Sequence, residues 1–493
     1  MTTEIIRGTN PVINCDMPDP DVIRVGDTYY MCSTTMYYMP GGALLRSYDL
    51  INWEFCSHVY ETLEDTEREN LDGENNAYGC GMWAPCLRYH DGRFYVIFIA
   101  NDTRKTYCFT AENPEGPWQK SYIDGFYHDC SVLWDDDGRV YIMHGNRNIR
   151  ITELKPDLSG PLEGGFDKVV ISDAQGDFLG YEGSHFYKIN SKYYAFFIHA
   201  AQNEWKRIEA AYMADSIDGE WVGGDVIDFA LPDTNGVAQG GIVDTPDGRW
   251  FGVIFADRGA AGRMPNIVPM HFDETGFPVF DTPTVEVENT STRSDYEYSS
   301  LFVSDDFNST TLNPAWEFNH NPKPDYWTLG DGRFIITTEK LSKTVEFARN
   351  TLTQRAKYPE CEAYVTLDAS RLNDGDTAGL TMLQYRYGII GLTKEQGRTY
   401  LVMRARDESG EEITYAKIPY DGDTVTLGVK GKFSLGRSEA RFGYLKDGEW
   451  ENFGETIYPT FDLRHFVGCR IGLFAYSTGK TGGSAAFLSF VYR

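Results

Sequence analysis

Three aspartates, Asp16, Asp19 and Asp21, lie close together in the stretch INCDMPDPD near the start of the chain. Negative charges at this spacing repel one another, so folding alone does not explain the cluster. A carboxylate in such a loop either accepts backbone hydrogen bonds in a turn or transfers protons as a general acid or base. We expect the turn role for Asp16 and Asp21, and the residues alone leave both roles open for Asp19.

Two further acids precede sequences with the pattern of β-strands. Asp129 lies in FYHDCSVLW, and Glu182 lies in GYEGSHFYKIN. Carboxylates that meet in one site can divide general acid and general base roles between them, because their environments separate their pKa values. The elements that position these acids therefore decide whether they act together.

Five similar hairpin patterns recur along the chain: VGDTYYM, HDGRFYVIF, DDGRVYIMH, NSKYYAFFI and PDGRWFGVIF. Each combines turn residues that tolerate positive φ with a β-rich run, which is typical of a β-hairpin. A second pattern, an acidic or Ser-rich turn that closes on Trp or Pro, follows four of them: SYDLINWEF, AENPEGPWQ, LKPDLSGPL and DSIDGEWVG.

A unit repeated five times at a step of about 50 residues indicates a five-bladed β-propeller with four strands in each blade. The alternative is a two-sheet sandwich whose hairpins are similar by accident. In a propeller, the innermost strand of each blade delivers its end residues to one central funnel. We therefore expect Asp19, Asp129 and Glu182 to converge, each on the innermost strand of its own blade.

The pattern changes after GFPVFDTPTVEVENTSTRSDYEYSS, a polar stretch that we interpret as a linker. Longer alternating runs follow, such as CEAYVTLDA and AAFLSFVYR, and they predict a β-sandwich. The predicted class is all-β, with a five-bladed β-propeller over residues 1–290 and a C-terminal β-sandwich over residues 300–493.

The composition limits the classes of partner that the protein is expected to bind and the compartment in which it is expected to occur. A formal charge of −28 disfavours binding to nucleic acid or to an anionic membrane but does not exclude neutral sugars. The nine cysteines occur singly, which predicts buried free thiols in a reducing compartment. The sequence shows no secretion signal and no apolar run long enough to span a membrane, so we expect a cytoplasmic protein. A secreted protein trimmed of its signal is the alternative.

Five motifs in order carry a resemblance to a known family: NPVINCDMPDPDVIRVGDTYYM, GMWAPCLRYHDGRFYV, YHDCSVLWDDDGRVYI, YEGSHFYKINSKYYAF and GGIVDTPDGRWF. Together they resemble glycoside hydrolase family 43 over residues 10 to about 285. The second domain resembles the concanavalin-like accessory domain of the family's exo-acting xylosidases and arabinofuranosidases.

The resemblance implies an inverting mechanism, in which an acid protonates the leaving oxygen and a base on the other sugar face activates water. By motif match, Asp19 is the general base and Glu182 is the general acid. Asp129 is the third carboxylate, which orients the acid and keeps it protonated.

Four further residues are implied in substrate binding. Trp83 matches a Trp that stacks on the sugar, with a core Trp of blade two as the alternative. Arg263 matches an Arg that reaches sugar hydroxyls, with a surface Arg of blade five as the alternative. Met36 stands where the closest xylosidases carry an aromatic residue, and His128 is either a sugar contact or a structural His on a strand edge.

No metal or other cofactor is expected to be required. Gln239 stands where many family members carry a His near a bound cation, which weakens the case for a central metal. In the C-terminal domain, the cluster DDFNSTT at Asp305 offers oxygen ligands of the kind that calcium takes, and a solvated turn is the alternative.

The expected function is release of terminal β-D-xylose, α-L-arabinofuranose or both from xylan and arabinoxylan oligosaccharides. A dedicated α-L-arabinofuranosidase is one alternative. A non-catalytic carbohydrate-binding propeller is another, although it has no need for three convergent acids. The expected partner is the oligosaccharide, and the sequence leaves open the oligomeric state and the role of the second domain.

Overall fold

The computed structural model describes residues 4–173 and 178–493, and these residues fold almost wholly as β-strands. The helices of the described residues are three short 3-10 turns, Gly259–Ala261, Pro324–Tyr326 and Val345–Phe347. None of the helices in that part of the chain has the length and apolar character of a membrane span.

Five four-stranded antiparallel sheets follow one another in the chain, and in each sheet the strands pair in chain order. All five predicted hairpin turns join the first strand of a sheet to the second, so the predicted five-bladed propeller is confirmed. The blades consist of Asp21–Val25, Thr28–Ser33, Gly41–Ser47 and Glu54–Tyr60; Met82–His90, Arg93–Ala100, Lys105–Ala111 and Gln119–Ile123; Ser131–Trp134, Val140–His144, Asn148–Leu154 and Asp167–Ser172; Glu182–Ile189, Lys192–Ala200, Arg207–Ala214 and Val222–Ile227; and Gly240–Asp244, Trp250–Asp257, Arg263–Phe272 and Pro278–Phe280.

The first strands of the blades contact one another around the axis, where a buried carboxylate joins four of them. Asp21 Oδ2 accepts hydrogen bonds from the Leu87 backbone N–H at 2.8 Å and from Arg88 Nη1 at 2.7 Å. Its Oδ1 lies 3.2 Å from His185 Nδ1, and Arg88 Nη2 donates to Ser131 Oγ at 2.5 Å. Burial raises the pKa of Asp21, but Arg88 and His185 outweigh that effect and hold the pKa below its ordinary value.

The predicted linker contains two strands, so that prediction is wrong for its first half. Pro278–Phe280 is the fourth strand of blade five, and Glu286–Thr290 pairs with Ile5–Thr9 in a separate two-stranded sheet. Both strands are short and contain Pro, Thr or Glu, so their composition resembles that of a polar connection.

The C-terminal domain packs an eight-stranded sheet on a seven-stranded one, with the largest apolar cluster of the described residues between them. This arrangement confirms the predicted β-sandwich. In sheet order, the eight strands are Glu412–Pro419, Arg398–Arg406, Gly388–Glu395, Asp376–Leu383, Arg470–Ser477, Leu352–Arg355, Glu317–Asn319 and Tyr38–Met39, and the seven are Trp327–Gly330, Arg333–Thr337, Ser484–Tyr492, Glu360–Asp368, Thr424–Lys432, Glu439–Lys446 and Glu449–Asn452.

The two domains share a sheet and a buried ion cluster. The strand Tyr38–Met39 comes from the propeller but pairs with Glu317–Asn319 of the sandwich. The Glu317 carboxylate is fully buried and contacts Arg355 at 2.8 Å, Arg470 at 2.5 Å and His58 of the propeller at 3.0 Å. Burial raises the pKa of Glu317, yet the two arginines outweigh it and hold that pKa far below its ordinary value.

Asp305 in the acidic cluster of the sandwich makes hydrogen bonds typical of a turn. Its Oδ1 accepts from the Phe307 backbone N–H at 2.8 Å, and its Oδ2 accepts from the Trp316 indole N–H at 2.9 Å. Since both oxygens already accept from N–H donors, the geometry favours the turn over a calcium ligand.

The cysteines are all free, as predicted. Seven are buried, and Cys56 and Cys80 are partly exposed.

We predict that Glu317→Gln lowers stability by about 3–5 kcal/mol, because it leaves two buried arginines without their shared counter-charge. The measurement is calorimetric unfolding at neutral pH. The control, Glu288→Gln, removes an exposed pair with Arg7 and should cost at most about 1 kcal/mol. Equal effects of the two substitutions would contradict the role assigned to the buried cluster.

Candidate active site

The three predicted acids lie at the inner ends of their blades, as expected. Asp19 lies in the loop before Asp21–Val25, and Asp129 lies in the loop before Ser131–Trp134. Glu182 is the first residue of the innermost strand of blade four. Of the three acids, only Glu182 lies on an innermost strand itself, and Asp19 and Asp129 lie in the segments that lead into theirs.

A left-handed backbone residue recurs at the entrance to all five innermost strands. The values of φ are 52° at Asp19, 34° at Ala84, 47° at Asp129, 67° at Gly183 and 43° at Gln239. This region is uncommon for residues other than Gly and persists where the surrounding structure enforces it, often at functional sites. Each blade therefore turns its chain in the same way at the axis.

Asp19 is buried and bound to Arg263. Arg263 Nη1 donates to Asp19 Oδ1 at 2.8 Å, and Nη2 donates to the Phe466 backbone carbonyl of the sandwich at 3.1 Å. Arg263 is only 3% exposed, so the alternative of a surface Arg on blade five is wrong. The ion pair fixes the direction of the Asp19 carboxylate.

His128 lies between the other two acids. Its Nε2 is 3.7 Å from Asp129 Oδ2 and 3.6 Å from Glu182 Oε2. The negative charge of Asp129 raises the pKa of His128 to about 9, although burial opposes the shift. The neighbouring carboxylate therefore favours the protonated form of His128.

Asp129 has an unusual tendency to keep its proton. Burial raises its pKa to about 7; the charges of Glu182 and Asp19 add to the rise, and His128 opposes it. The carboxylate accepts the Gly183 backbone N–H at 3.1 Å, so it also fixes the backbone next to Glu182. Asp129 is therefore more easily protonated than an ordinary aspartate.

Asn146 contacts Glu182, and the sequence did not reveal this contact. Its Nδ2 donates to Glu182 Oε2 at 2.5 Å from the turn between the second and third strands of blade three. Nothing in the sequence HGNRN marks this residue, because the contact depends on how blades three and four meet.

Trp83 and Met36 share one apolar cluster at the mouth of the propeller. The Trp83 ring centroid lies 6.1 Å from that of His128 and 5.3 Å from that of Phe466, which places Trp83 at the site and not in the blade-two core. Met36 is 1% exposed, so it is closed to solvent beside Trp83. Its predicted contact with the sugar stays a prediction.

The sandwich contributes a wall of the site. The Phe466 ring centroid lies 4.6 Å from the Arg263 guanidinium carbon. The loop that carries Phe466 is held at Gly468, whose N–H donates to Asp16 Oδ2 at 2.8 Å, and at His465, whose ring stacks on Tyr78 with centroids 4.0 Å apart. The second domain therefore does more than cover the propeller.

Asp16 and Asp21 have the structural roles expected for them. Asp16 accepts the N–H groups of Arg263, at 2.7 Å, and Gly468, so it joins the propeller to the sandwich. Asp21 is the carboxylate at the axis described above.

The ligand atoms of His128, Asp129 and Glu182 all lie within 4.8 Å of one another, a spacing that could hold a metal ion. Two of these groups already accept hydrogen bonds: Asp129 Oδ2 from the Gly183 backbone N–H and Glu182 Oε2 from Asn146 Nδ2. Gln239 supplies no imidazole; its side chain lies so close to Gly183 that a Cβ there would meet Cδ at 2.3 Å. The group fits proton transfer better than metal binding.

The propeller thus brings three carboxylates together beside a buried arginine and a partly exposed tryptophan, Trp83. Residues 8–278 match the model for glycosyl hydrolases family 43, and residues 304–493 match the beta xylosidase C-terminal concanavalin A-like domain. The chain belongs to glycosyl hydrolase family 43, as the resemblance predicted.

Individual relatives are similar over most of this chain. The Xylosidase/arabinosidase 43B of Humicola insolens is 27% identical, over 98% of this chain and 97% of its own. A solved structure, the bifunctional GH43-CE of Bacteroides eggerthii, is 37% identical over 99% of this chain with a TM-score of 0.92. The chain spans only 64% of that protein, and also 64% of a relative from Xylanibacter ruminicola that is 29% identical.

We predict that the His128 imidazole stays protonated at neutral pH and loses its proton as the pH rises through about 9. Nitrogen-15 NMR of histidine-labelled protein measures this titration. Asp129→Asn removes the negative charge that raises the pKa, so the midpoint should fall toward the ordinary value of about 6.5.

The matched control is Asp225→Asn, which removes the carboxylate 2.8 Å from another histidine, His199, and should leave the His128 titration unchanged. A wild-type midpoint for His128 near 6.5 would show that Asp129 and Glu182 do not act on it.

Proposed function

We propose that the protein is an inverting, exo-acting glycoside hydrolase that releases terminal β-D-xylose, α-L-arabinofuranose or both from hemicellulose oligosaccharides. The observation that carries the proposal is the convergence of Asp19, Asp129 and Glu182 at the axis, with His128 between two of these acids and Arg263 bound to the third. The Humicola insolens relative is named as a xylosidase and an arabinosidase, which supports keeping both sugars in the proposal.

In this mechanism Asp19 is the general base. Its carboxylate, aimed by Arg263, takes a proton from a water molecule that attacks the anomeric carbon. The roles of Arg263 and Trp83 in holding the sugar follow from their positions beside Asp19 and His128.

Glu182 is the general acid. It gives its proton to the oxygen of the leaving group while the glycosidic bond breaks, and it is held by Asn146. Asp129 and Glu182 carry like charges when both are ionised, which favours one retained proton in the cluster. The His128 cation balances the negative charge that remains after the transfer.

No cofactor enters these steps. The residues around the acids supply proton donors and acceptors, and the structural calcium considered at Asp305 has no part in the reaction.

We predict that substrates with different leaving groups distinguish the role of Asp19 from that of Glu182. Asp19→Asn should lower kcat/KM by about 10²–10⁴-fold on p-nitrophenyl β-D-xylopyranoside, p-nitrophenyl α-L-arabinofuranoside and xylobiose alike, because water activation is needed for each. Glu182→Gln should cause a similar loss on xylobiose but a much smaller one on the aryl glycosides, since p-nitrophenolate leaves without protonation.

The control is Asp27→Asn, at the tip of the blade-one hairpin, which removes an exposed pair with Arg293 and should keep full activity. The ratio of the two aryl glycoside rates distinguishes a dual enzyme from a dedicated arabinofuranosidase. A folded wild-type protein that hydrolyses none of these substrates would favour the carbohydrate-binding propeller.

A further inference from the structure

A cavity of about 730 Å³ opens between the propeller and the sandwich on the Glu182 side of the site. Glu182 and Trp205 of blade four form part of one wall, and Tyr458, Phe461 and Phe466 of the sandwich form part of the other. Asp19 lies outside it. We call this space the leaving-group cavity.

Phe466 lies between the leaving-group cavity and the Arg263–Asp19 pair. It lines the leaving-group cavity, and its ring also contacts Trp83 and the Arg263 guanidinium beside Asp19. The general base thus lies on one side of Phe466, and the cavity that reaches Glu182 lies on the other.

The proposed chemistry requires a space of this kind. A general acid protonates the leaving oxygen, so the departing part of the substrate must extend from the acid and away from the base. Given the proposed function, whatever fills the leaving-group cavity is the departing part of the substrate.

The cavity presents flat apolar surfaces to solvent. Trp205 is 46% exposed, Tyr458 is 41% exposed and Leu463 is 71% exposed, all on its lining. Single exposed apolar residues are common, but several on one concave surface mark a binding site. Aromatic faces that are open to solvent suit the C–H faces of sugar rings.

The guanidinium of Arg207 packs against the ring of Trp205 and is itself held in place. The Arg207 guanidinium carbon lies 5.2 Å from the Trp205 ring centroid. Arg207 is itself buried and held by both carboxylate oxygens of Asp257, one of them at 3.3 Å from Nη2. The indole therefore has a rigid support, which lowers the entropy that stacking costs.

The size of the cavity points to more than one sugar ring. Its volume falls within the range of about 300–1,000 Å³ that is typical of sites for drug-sized ligands. We propose that the leaving-group cavity binds an oligosaccharide of at least two sugar rings, with Trp205 as the stacking surface. The inference rests on the proposed function, and it sets the preferred substrate as an oligosaccharide instead of a disaccharide or an aryl glycoside.

The test compares chain lengths on the intact protein. If xylose is released, the substrates are xylobiose, xylotriose and xylotetraose; if arabinose is released, they are arabinofuranosyl xylo-oligosaccharides of increasing backbone length. The wild-type kcat/KM should rise about tenfold along the series, and Trp205→Ala should abolish the rise. Trp205→Phe should keep part of the rise, which separates lost stacking from lost folding.

The control variant Tyr415→Ala removes an aromatic of similar exposure, 40%, from an edge strand of the sandwich outside the cavity, and it should keep the full rise. A flat series in an enzyme that cleaves the aryl glycosides would overturn this inference and leave the proposed function intact. A rise that survives in Trp205→Ala would overturn the role of Trp205. Absence of activity on every substrate would overturn the function and this inference together.

Discussion

The buried contact between Asp21 and Arg88 is the constraint on which the site depends. A carboxylate at the axis of a propeller costs free energy unless it is paired, and here it accepts from two groups of blade two and contacts His185 of blade four. Arg88 in turn donates a hydrogen bond to Ser131 of blade three. Four innermost strands are thereby fixed relative to one another at one point.

The acids of the site lie one short step along the same strands. Asp19 precedes Asp21 by two residues, Asp129 precedes Ser131 by two, and Glu182 precedes His185 by three. Asp19 and Asp129 themselves have the left-handed backbone conformation, and in blade four it is Gly183, directly after Glu182, that has it. This conformation turns each acid toward the funnel. Asp19 and Asp129 lie in loops directly anchored by these strands, and Glu182 lies on its strand, so the acids have the fixed geometry that proton transfer requires.

Much of this arrangement could be predicted from the sequence, because the hairpin turns repeat with local chemistry that any blade must have. The five turns, the sandwich and the innermost positions of Asp19, Asp129 and Glu182 all followed from local patterns or from motifs in order. The blade-five strand Pro278–Phe280 was missed because three residues with a Pro carry too weak a pattern.

The contacts between distant segments could not be predicted from the sequence. Phe466 contacts Arg263, and Asn146 contacts Glu182, only because domains and blades pack in one particular way, and no local pattern encodes that packing. The same holds for Asp16: its turn-like role was expected, but its bond to Gly468 of the sandwich was not.

The direct test of the central claim, that Asp19 and Glu182 act on opposite faces of the sugar with water between them, is the configuration of the first product. Proton NMR during hydrolysis of a β-linked xyloside should show α-xylose appearing before mutarotation mixes the anomers, and an α-linked arabinofuranoside should first give the β anomer. First appearance of the anomer that matches the substrate would mean a covalent intermediate and a retaining pair, and it would contradict the roles given to both acids.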